Sequence, residues 1–523
     1  MKKIDKRKIF LVIIIILILL VIALFIGKFT FSYLAPDVGE DVNSKGEVTA
    51  SGDTIIFNNG KSLSLSATTD NFTTGGTNLT STTNPTAKLV ASSKTNKADA
   101  TYYVGVHIKN NTYTYSTTAK TPEIILTIKD EKGSNVTSVD GLTYTTSGGV
   151  SGFDVTDKTG LFNIKTDYPI TTTSSTTGTT HTWTFTLTFV NLSTDQSANE
   201  NANMNLDVIL QQETYHIPRF DETCDETTLA CHVAKIYTGT QGENSIYYHD
   251  ASLTNGAEDN SYRFAGASGE VNNYVCFGST TTTCPADNLY RIIGVFGDNV
   301  KLIKSDYANS NLLGTDGDYS TDTFTKSSSS LYKGELTTIN RYKWNNSTQK
   351  NTWSESNLNK VNLNTNYLNK IGTTWSNLIE DTTWKVSGYT NERVTPKEMY
   401  TAEITNATKI YGPENGTSKM GLMYVSDYGF AAAPSAWTFK LYYYENSSIT
   451  PVNWMYMGLS DWTITPYSSN SYDVFNASGN GNGGLGTIKA YYGHFVRPVL
   501  YLKTSVAYAG GSGTKDSPIT LVV

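Results

Sequence analysis

The run IFLVIIIILILLVIALFIG, residues 9–27, contains no charged side chain. About 20 consecutive apolar residues span the core of a bilayer as one helix. The preceding MKKIDKRK sets Lys2, Lys3, Lys6, Arg7 and Lys8 against Asp5 alone. An excess of Lys and Arg holds a short flank on the cytoplasmic side. A cleaved secretory signal has a shorter apolar core and a small residue two positions before the cut. Here Tyr33 stands two positions before Ala35, and no cysteine succeeds the run to take a lipid. The expectation is an N-terminal transmembrane helix that stays in place as a signal anchor. It comprises a cytoplasmic basic tail over 1–8, a span over 9–27 and a polar stalk over 28–45. The protein is then single-pass in the plasma membrane, with its N-terminus cytoplasmic and the bulk of the chain extracellular.

The chain beyond the anchor suits that side of the membrane. Charged residues make up 17% of the 523, and the formal net charge is −7. Recognition of nucleic acid needs a concentrated basic face, so no nucleic-acid partner is expected. Four cysteines fall as Cys224, Cys231, Cys276 and Cys284. They allow three pairings, and the local one closes two small loops in an oxidising compartment. A zinc site is the competing reading, but it ordinarily begins with closer Cys-x(2–4)-Cys spacing.

Two textures divide the remainder. Over 46–213 the pattern is strand after strand. In HTWTFTLTF, Trp183, Phe185, Leu187 and Phe189 alternate with threonines, which reads as a strand with one buried face. ATYYVGVHIKN, PEIILTIKD and MNLDVILQQ read likewise, and the set predicts an all-β sandwich. Residues 214–240 read as a junction with a Cys pair. There DETTLACHVAKIY predicts a short helix with Leu229 and Val233 on one side and His232 on the other. Over 241–516 strands mix with helices, an α+β domain. LYRIIGVFGDNVKLIKSD predicts a hairpin turning at Gly297-Asp298. TPKEMYTAEI opens on a capping box of Thr395 and Glu398, with Pro396 at the first helical position.

Motifs that carry chemistry are thin. GNGGLG, residues 481–486, has the glycines of a dinucleotide loop, but TIKAYYGHFV after it reads as strand where a helix is required. Asp316, Asp318 and Asp322 alternate in TDGDYSTD and are weak calcium ligand candidates. An EF-hand loop would need Gly and Glu where Thr321 and Ser327 stand. Neither an H-E-x-x-H nor a G-x-S-x-G occurs. His249 precedes Asp250, but strand neighbours point to opposite faces. The sequons at Asn71, Asn191 and Asn446 arise by chance in so Asn- and Thr-rich a chain. No catalytic residue and no cofactor is expected.

Tyrosine is abundant at 34, and aromatic residues crowd the region before the C-terminus. Aromatic rings with polar tips give large contact area at low entropic cost. The ligand-binding candidates are Trp437, Tyr443, Trp454, Tyr456, Trp462 and Tyr491, against the simpler reading that most of these rings are core. In YYGHFVRPVLYLK, Pro498 cannot donate to a ladder and marks a strand edge, start or bulge. Arg497 is assigned a structural pairing with Asp461 or Asp427.

Three pieces of the second domain resemble an extracytoplasmic bacterial domain family: Tyr290-Arg291-Ile292-Ile293, Asp461-Trp462-Thr463-Ile464-Thr465-Pro466 and Val496-Arg497-Pro498-Val499-Leu500. The family closes on a Val-Arg-Pro-Val/Ala-Leu strand. The resemblance implies a C-type-lectin-like or formylglycine-generating-enzyme-like fold and no particular activity. The chemistry of the latter enzymes uses a late cysteine pair, and no Cys occurs after Cys284. The first domain is similar to camelysin-like secreted β-sandwich proteins, through its apolar segment and the Thr-rich strands after it. The expected function is adhesion or ligand binding at the cell surface without catalysis, the ligand being an extracellular glycan or protein. A structural coat or fibre component, built by self-association of the sandwich, is the first alternative. An envelope-associated hydrolase is the second.

Overall fold

The computed structural model describes residues 45–50, 53–67, 76–92, 97–407, 414–477 and 482–523. The expected cytoplasmic tail, membrane span and most of the stalk lie outside these residues, as do Asn71 and Gly481. Among the described residues no helix is long and apolar enough to cross a membrane. The molecule is mostly β-sheet with few helices, and it divides into two units, Met1–Ile217 and Pro218–Val523.

The first unit is built of antiparallel strands in three sheets. One carries Lys45–Ala50, Asp53–Asn58, Thr86–Val90 and Thr179–Thr182. The second carries Gly160–Thr172, Ala98–Asn111, Asn203–Gln211 and Leu63–Ser66. The third carries Leu79–Thr83, Thr184–Phe189, Ile124–Lys129, Val150–Asp154 and Thr143–Ser147. Inward side chains from all three share one core, among them Phe57, Leu89, Val104, Val106, Leu126, Leu206 and Phe185. The alternation in HTWTFTLTF is realised: Trp183, Phe185, Leu187 and Phe189 are wholly buried. Trp183 also marks where its strand changes sheets. Residues before it pair with Thr86–Val90, and residues after it pair with Leu79–Thr83 and Ile124–Lys129. Its indole N–H donates to the Tyr102 hydroxyl at 2.9 Å, and that hydroxyl lies 2.9 Å from Nδ1 of His181. On the other face of the long strand, Tyr103 folds over Gly105 to donate to Asn163 at 2.7 Å. A Cβ at Gly105 would meet the Tyr103 hydroxyl at 2.1 Å, so the ring requires a glycine there.

The second unit centres on a seven-stranded sheet. Its strands run in the order Ile246–Tyr248, Tyr262–Phe264, Leu289–Phe296, Asn299–Lys304, Val499–Tyr501 and Met420–Gly421, with Tyr274–Cys276 paired to Leu289–Phe296. The hairpin turns at Gly297, whose φ is 63°. Val499–Tyr501 begins directly after Pro498 and lies between two partner strands. Arg497 donates to Asp461 at 2.6 Å through Nε and to the Met455 carbonyl at 2.8 Å.

Two features of the domain layout differ from the sequence expectation. The segment from Pro218 onward belongs to the second unit and is no separate junction. Leu229 and Val233, on the helix Leu229–Ala234, pack into its core, and His232 stacks on Tyr508 at 3.6 Å between centroids. The chain past residue 516 is also part of the fold. Ile519 exchanges backbone hydrogen bonds with Tyr274 and Cys276, and Thr520–Leu521 pairs with Tyr508–Gly510. Periodicity cannot reveal this, because two residues are too few to alternate. The disulfides join Cys224 to Cys231 and Cys276 to Cys284.

Two substitutions test this packing by urea denaturation. Trp183→Ala empties a fully buried site and is expected to cost about 3–5 kcal/mol. Arg497→Met strands Asp461 and is expected to cost about 3–5 kcal/mol, most of it recovered when Asp461→Leu is added. A double variant no more stable than Arg497→Met alone would show that the pair is not what matters at this site.

Candidate functional site

Charged residues on short interior strands have to be paired or face a cavity. The strand Tyr262–Phe264 places Arg263 between two buried aromatics, and VKLIK places Lys301 between Val300 and Leu302. Cross-strand register sets Arg263 opposite Gly294, Gly294 opposite Lys301, and Lys301 opposite Tyr501. A Cβ at Gly294 would lie 2.2 Å from the Tyr262 carbonyl oxygen, so glycine permits this close approach. It also leaves no side chain between the two cations. Helix Val425–Phe430 brings Ser426 and Asp427 to the same place, and helix Pro396–Tyr400 brings Tyr400. The capping box of Thr395 and Glu398 forms at the start of the latter helix.

Together these elements enclose a cavity of about 260 Å³. Asp259, Arg263, Phe296, Lys301, Tyr400, Ile404, Tyr424, Asp427 and Tyr501 line it, with Ser261, Gly297 and Ser426. Two ion pairs stand in its wall. Lys301 Nζ donates to Asp427 Oδ2 at 2.6 Å, both side chains almost wholly buried. Arg263 donates to Asp259 at 2.5 Å through Nη2 and to the Ser261 hydroxyl at 2.7 Å through Nε. Its Nη1 stands 3.9 Å from Asp427, beyond hydrogen-bond reach. Aromatic faces complete the enclosure. Lys301 Nζ lies 4.4 Å from the Tyr424 ring centre and 5.2 Å from that of Tyr501, and the Arg263 guanidinium lies 4.6 Å from Phe296 and 5.1 Å from Tyr400. Such desolvated cation–ring contacts contribute about 2 kcal/mol each.

The environment sets the protonation states. Burial lowers the Lys301 ammonium from its ordinary range, opposed by the Asp427 charge. Burial acts to raise the Asp259 carboxyl, but the Arg263 charge and hydrogen bonds from Ser261 and Tyr400 win and hold it well below the usual range. Burial raises the hydroxyls of Tyr400, Tyr424 and Tyr501, which stay protonated. Behind the wall, Glu403 is wholly buried. Its carboxylate accepts from the backbone N–H of Val425 at 2.9 Å and of Ser426 at 3.2 Å, and from the Thr465 hydroxyl. Burial pushes its pKa up to about 7, with the Asp427 charge acting in the same direction and those hydrogen bonds against it.

The residues proposed from sequence fall elsewhere. Trp437, Trp454, Trp462 and Tyr456 are core residues, which corrects their reading as a binding surface. Each indole N–H is taken by a backbone carbonyl: Trp437 by Ala432, Trp454 by Phe264 and Trp462 by Tyr342. Of the six, Tyr443 is exposed and Tyr491 half-buried. Tyr443 borders a shallow surface depression with Glu445, Asn446 and Asn482, and Tyr491 packs on Tyr492. The calcium candidates do not converge. Asp318 is buried and accepts the backbone N–H of Asn346 and Leu358, Asp316 accepts from Asn366, and Asp322 is exposed. Among the described residues no cluster of His, Cys, Asp and Glu is arranged to hold a metal ion. Asp427, offered as a partner of Arg497, instead holds Lys301. Sequence reasoning does not single out the cavity cations, although a Lys flanked by apolar residues in a well-patterned hairpin is a usable signal.

No family model, no curated protein and no solved structure matches the chain.

Glu403 generates a pH prediction with a definite sign. Its ordinary pKa is 4.5 and its folded value about 7. Between these values the folded state retains a proton that the unfolded state has lost, so its contribution to stability falls as pH rises through this window. Glu403→Gln mimics the protonated form. The stability gap between variant and parent is therefore expected to shift towards the variant from pH 4.5 to 7 and then level off, read by thermal denaturation. His494, lowered to about 4 by burial beside Arg341, titrates in both proteins and cancels in the comparison.

Proposed function

We propose that the chain is a membrane-anchored bacterial cell-surface protein that binds a ligand outside the cell without acting on it chemically. The anchor is the apolar run over 9–27, and the two disulfides suit an oxidising exterior. The second unit is read as the α+β, C-type-lectin-like domain implied by its Tyr290-Arg291-Ile292-Ile293 and Val496-Arg497-Pro498-Val499-Leu500 motifs. One observation carries the binding reading: a cavity of about 260 Å³ with one buried and one half-buried ion pair and aromatic walls. Concave sites with a few fixed polar groups among apolar walls are where small groups bind. Maintaining three buried charges and the half-buried Asp259 around open space costs stability that a purely structural core avoids.

The hydrolase alternative draws on Asp259 and Asp427 meeting at one arginine. A two-carboxylate hydrolase needs one acid protonated at working pH. Asp259 is held ionised, Asp427 is tied to Lys301 and to the backbone N–H of Tyr424 at 2.9 Å, and Glu403 points its oxygens at a buried helix terminus. Binding without turnover is therefore the better account. Self-assembly of the first unit into a coat remains a separate proposal, tested by sedimentation across a concentration series.

Thermal-shift screening of the full-length chain against surface glycans and peptides tests the binding reading. A ligand at a hundred times its Kd is expected to stabilise the fold by about 2.7 kcal/mol. Ile404→Trp, which fills the half-buried mouth, is expected to abolish that shift. A ligand whose shift survives the substitution binds somewhere other than this cavity.

A further inference from the structure

We propose that the group entering this cavity is uncharged and rich in hydrogen-bond acceptors, a neutral sugar ring at a glycan end. The inference rests on the binding reading above and assigns the ligand class. Charge comes first. Arg263 and Lys301 contribute two positive charges to the wall, Asp259 and Asp427 two negative ones, and each cation has its own partner. An acidic ligand here would face two carboxylates in a poorly hydrated space, and a basic one would face two cations. Either brings an uncompensated buried charge, and such a charge is strongly unfavourable. A neutral ligand leaves both ion pairs intact.

Hydrogen-bond capacity comes second, and it is unequal. Asp259 is saturated by the protein: it accepts from Arg263, from the Ser261 hydroxyl at 2.6 Å and N–H at 3.1 Å, and from Tyr400. Asp427 accepts from Lys301 and from Tyr424 N–H, both through Oδ2, and its Oδ1 stands 3.9 Å from Arg263 Nη1. The donors are not used up. An ammonium carries three N–H groups, and among the described residues Asp427 is the one acceptor of Lys301. Among the described residues neither Arg263 Nη1, 3.9 Å from Asp427, nor the Tyr501 hydroxyl makes a hydrogen bond. Donors from three strands of one sheet thus face one space, in which Asp427 Oδ1 is the carboxylate oxygen that receives no hydrogen bond among the described residues. The complementary ligand presents mainly oxygen acceptors (hydroxyl, ring or carbonyl oxygens), with a hydroxyl that can also donate to Asp427 Oδ1. Donors held on ion-paired side chains make the strong, oriented class of such bonds.

Shape is the third point. Phe296, Tyr400, Tyr424 and Tyr501 give the space flat apolar walls, which suit the C–H faces of a saturated ring. The volume is below the range of about 300–1,000 Å³ typical of sites for drug-sized ligands, so a single ring fits and a longer chain does not. Phe296 and Ile404 are half-buried and Gly297 is exposed, so the mouth lies beside the hairpin turn.

The test titrates the full-length chain calorimetrically with neutral methyl hexopyranosides and their N-acetyl derivatives, each beside its uronic-acid and amino-sugar counterpart. At least one neutral sugar is expected to bind, with its acidic and basic counterparts at least about tenfold weaker, a factor worth about 1.4 kcal/mol. Tyr501→Phe removes one donor and is expected to weaken neutral binding several-fold with the melting temperature unchanged. Ile404→Trp is expected to abolish binding. A uronic acid or amino sugar that binds as tightly as its neutral counterpart, and is lost in Ile404→Trp, overturns the ligand class and leaves the cavity as the binding site. Neutral binding unchanged in both variants overturns the assignment to this cavity. The absence of binding by every probe, with surface peptides also silent in the thermal-shift screen, overturns both readings.

Discussion

The contact between Lys301 and Asp427 ties the second unit together. Lys301 lies on a strand with partners on both sides, and Asp427 lies in the first turn of the helix Val425–Phe430. Their contact at 2.6 Å fixes that helix over the sheet. The same carboxylate accepts the Tyr424 N–H and so caps the helix it belongs to. Glu403 accepts the next two N–H groups, so orphan donors of a buried helix end are met by two side chains from different elements. Arg263 approaches from two strands away, across Gly294, and is held by Asp259. Removing any one of these charges would strand another, which is why the group is best understood as a single cooperative unit.

Legibility from sequence tracks the length of each repeating pattern. HTWTFTLTF is readable because one inward face is repeated four times, and a register slip would turn every apolar side chain to the other side. The capping box at Thr395 is readable because its chemistry is local. The helix Leu229–Ala234 is foreseen with the right buried face, yet assigned to a junction because its packing partners, such as Val506, are far away in sequence. The C-terminal tail is unreadable for the same reason. Its glycines suggest a loose end, and its role comes from pairing with Cys276 and Tyr274.

The aromatic-rich region illustrates a different limit. Composition marks it as unusual and cannot say which way the rings face. Every tryptophan proposed as a ligand contact proves to be core, its indole N–H bonded to a backbone carbonyl. For Trp454 and Trp462 that carbonyl is brought near by tertiary structure alone. Tyrosine and tryptophan suit exposed and buried sites alike, given one polar partner. A charged residue inside an apolar strand is the more discriminating signal, because water does not solvate it there and something else must.

That signal still needs a second criterion, since this unit buries several cations. Arg291 is enclosed, but its donors are taken by the Asn273 side chain, the Ser268 hydroxyl and the Val271 carbonyl. Arg497 is divided between Asp461 and the Met455 carbonyl. Both bind loops to strands, and neither lines the cavity. Arg263 and Lys301 are equally buried, yet they retain donor capacity and border open volume. Burial alone therefore separates none of the four. The difference lies in whether the fold itself supplies the acceptors, and at these two positions it stops short, leaving donors directed at a space walled by aromatic rings.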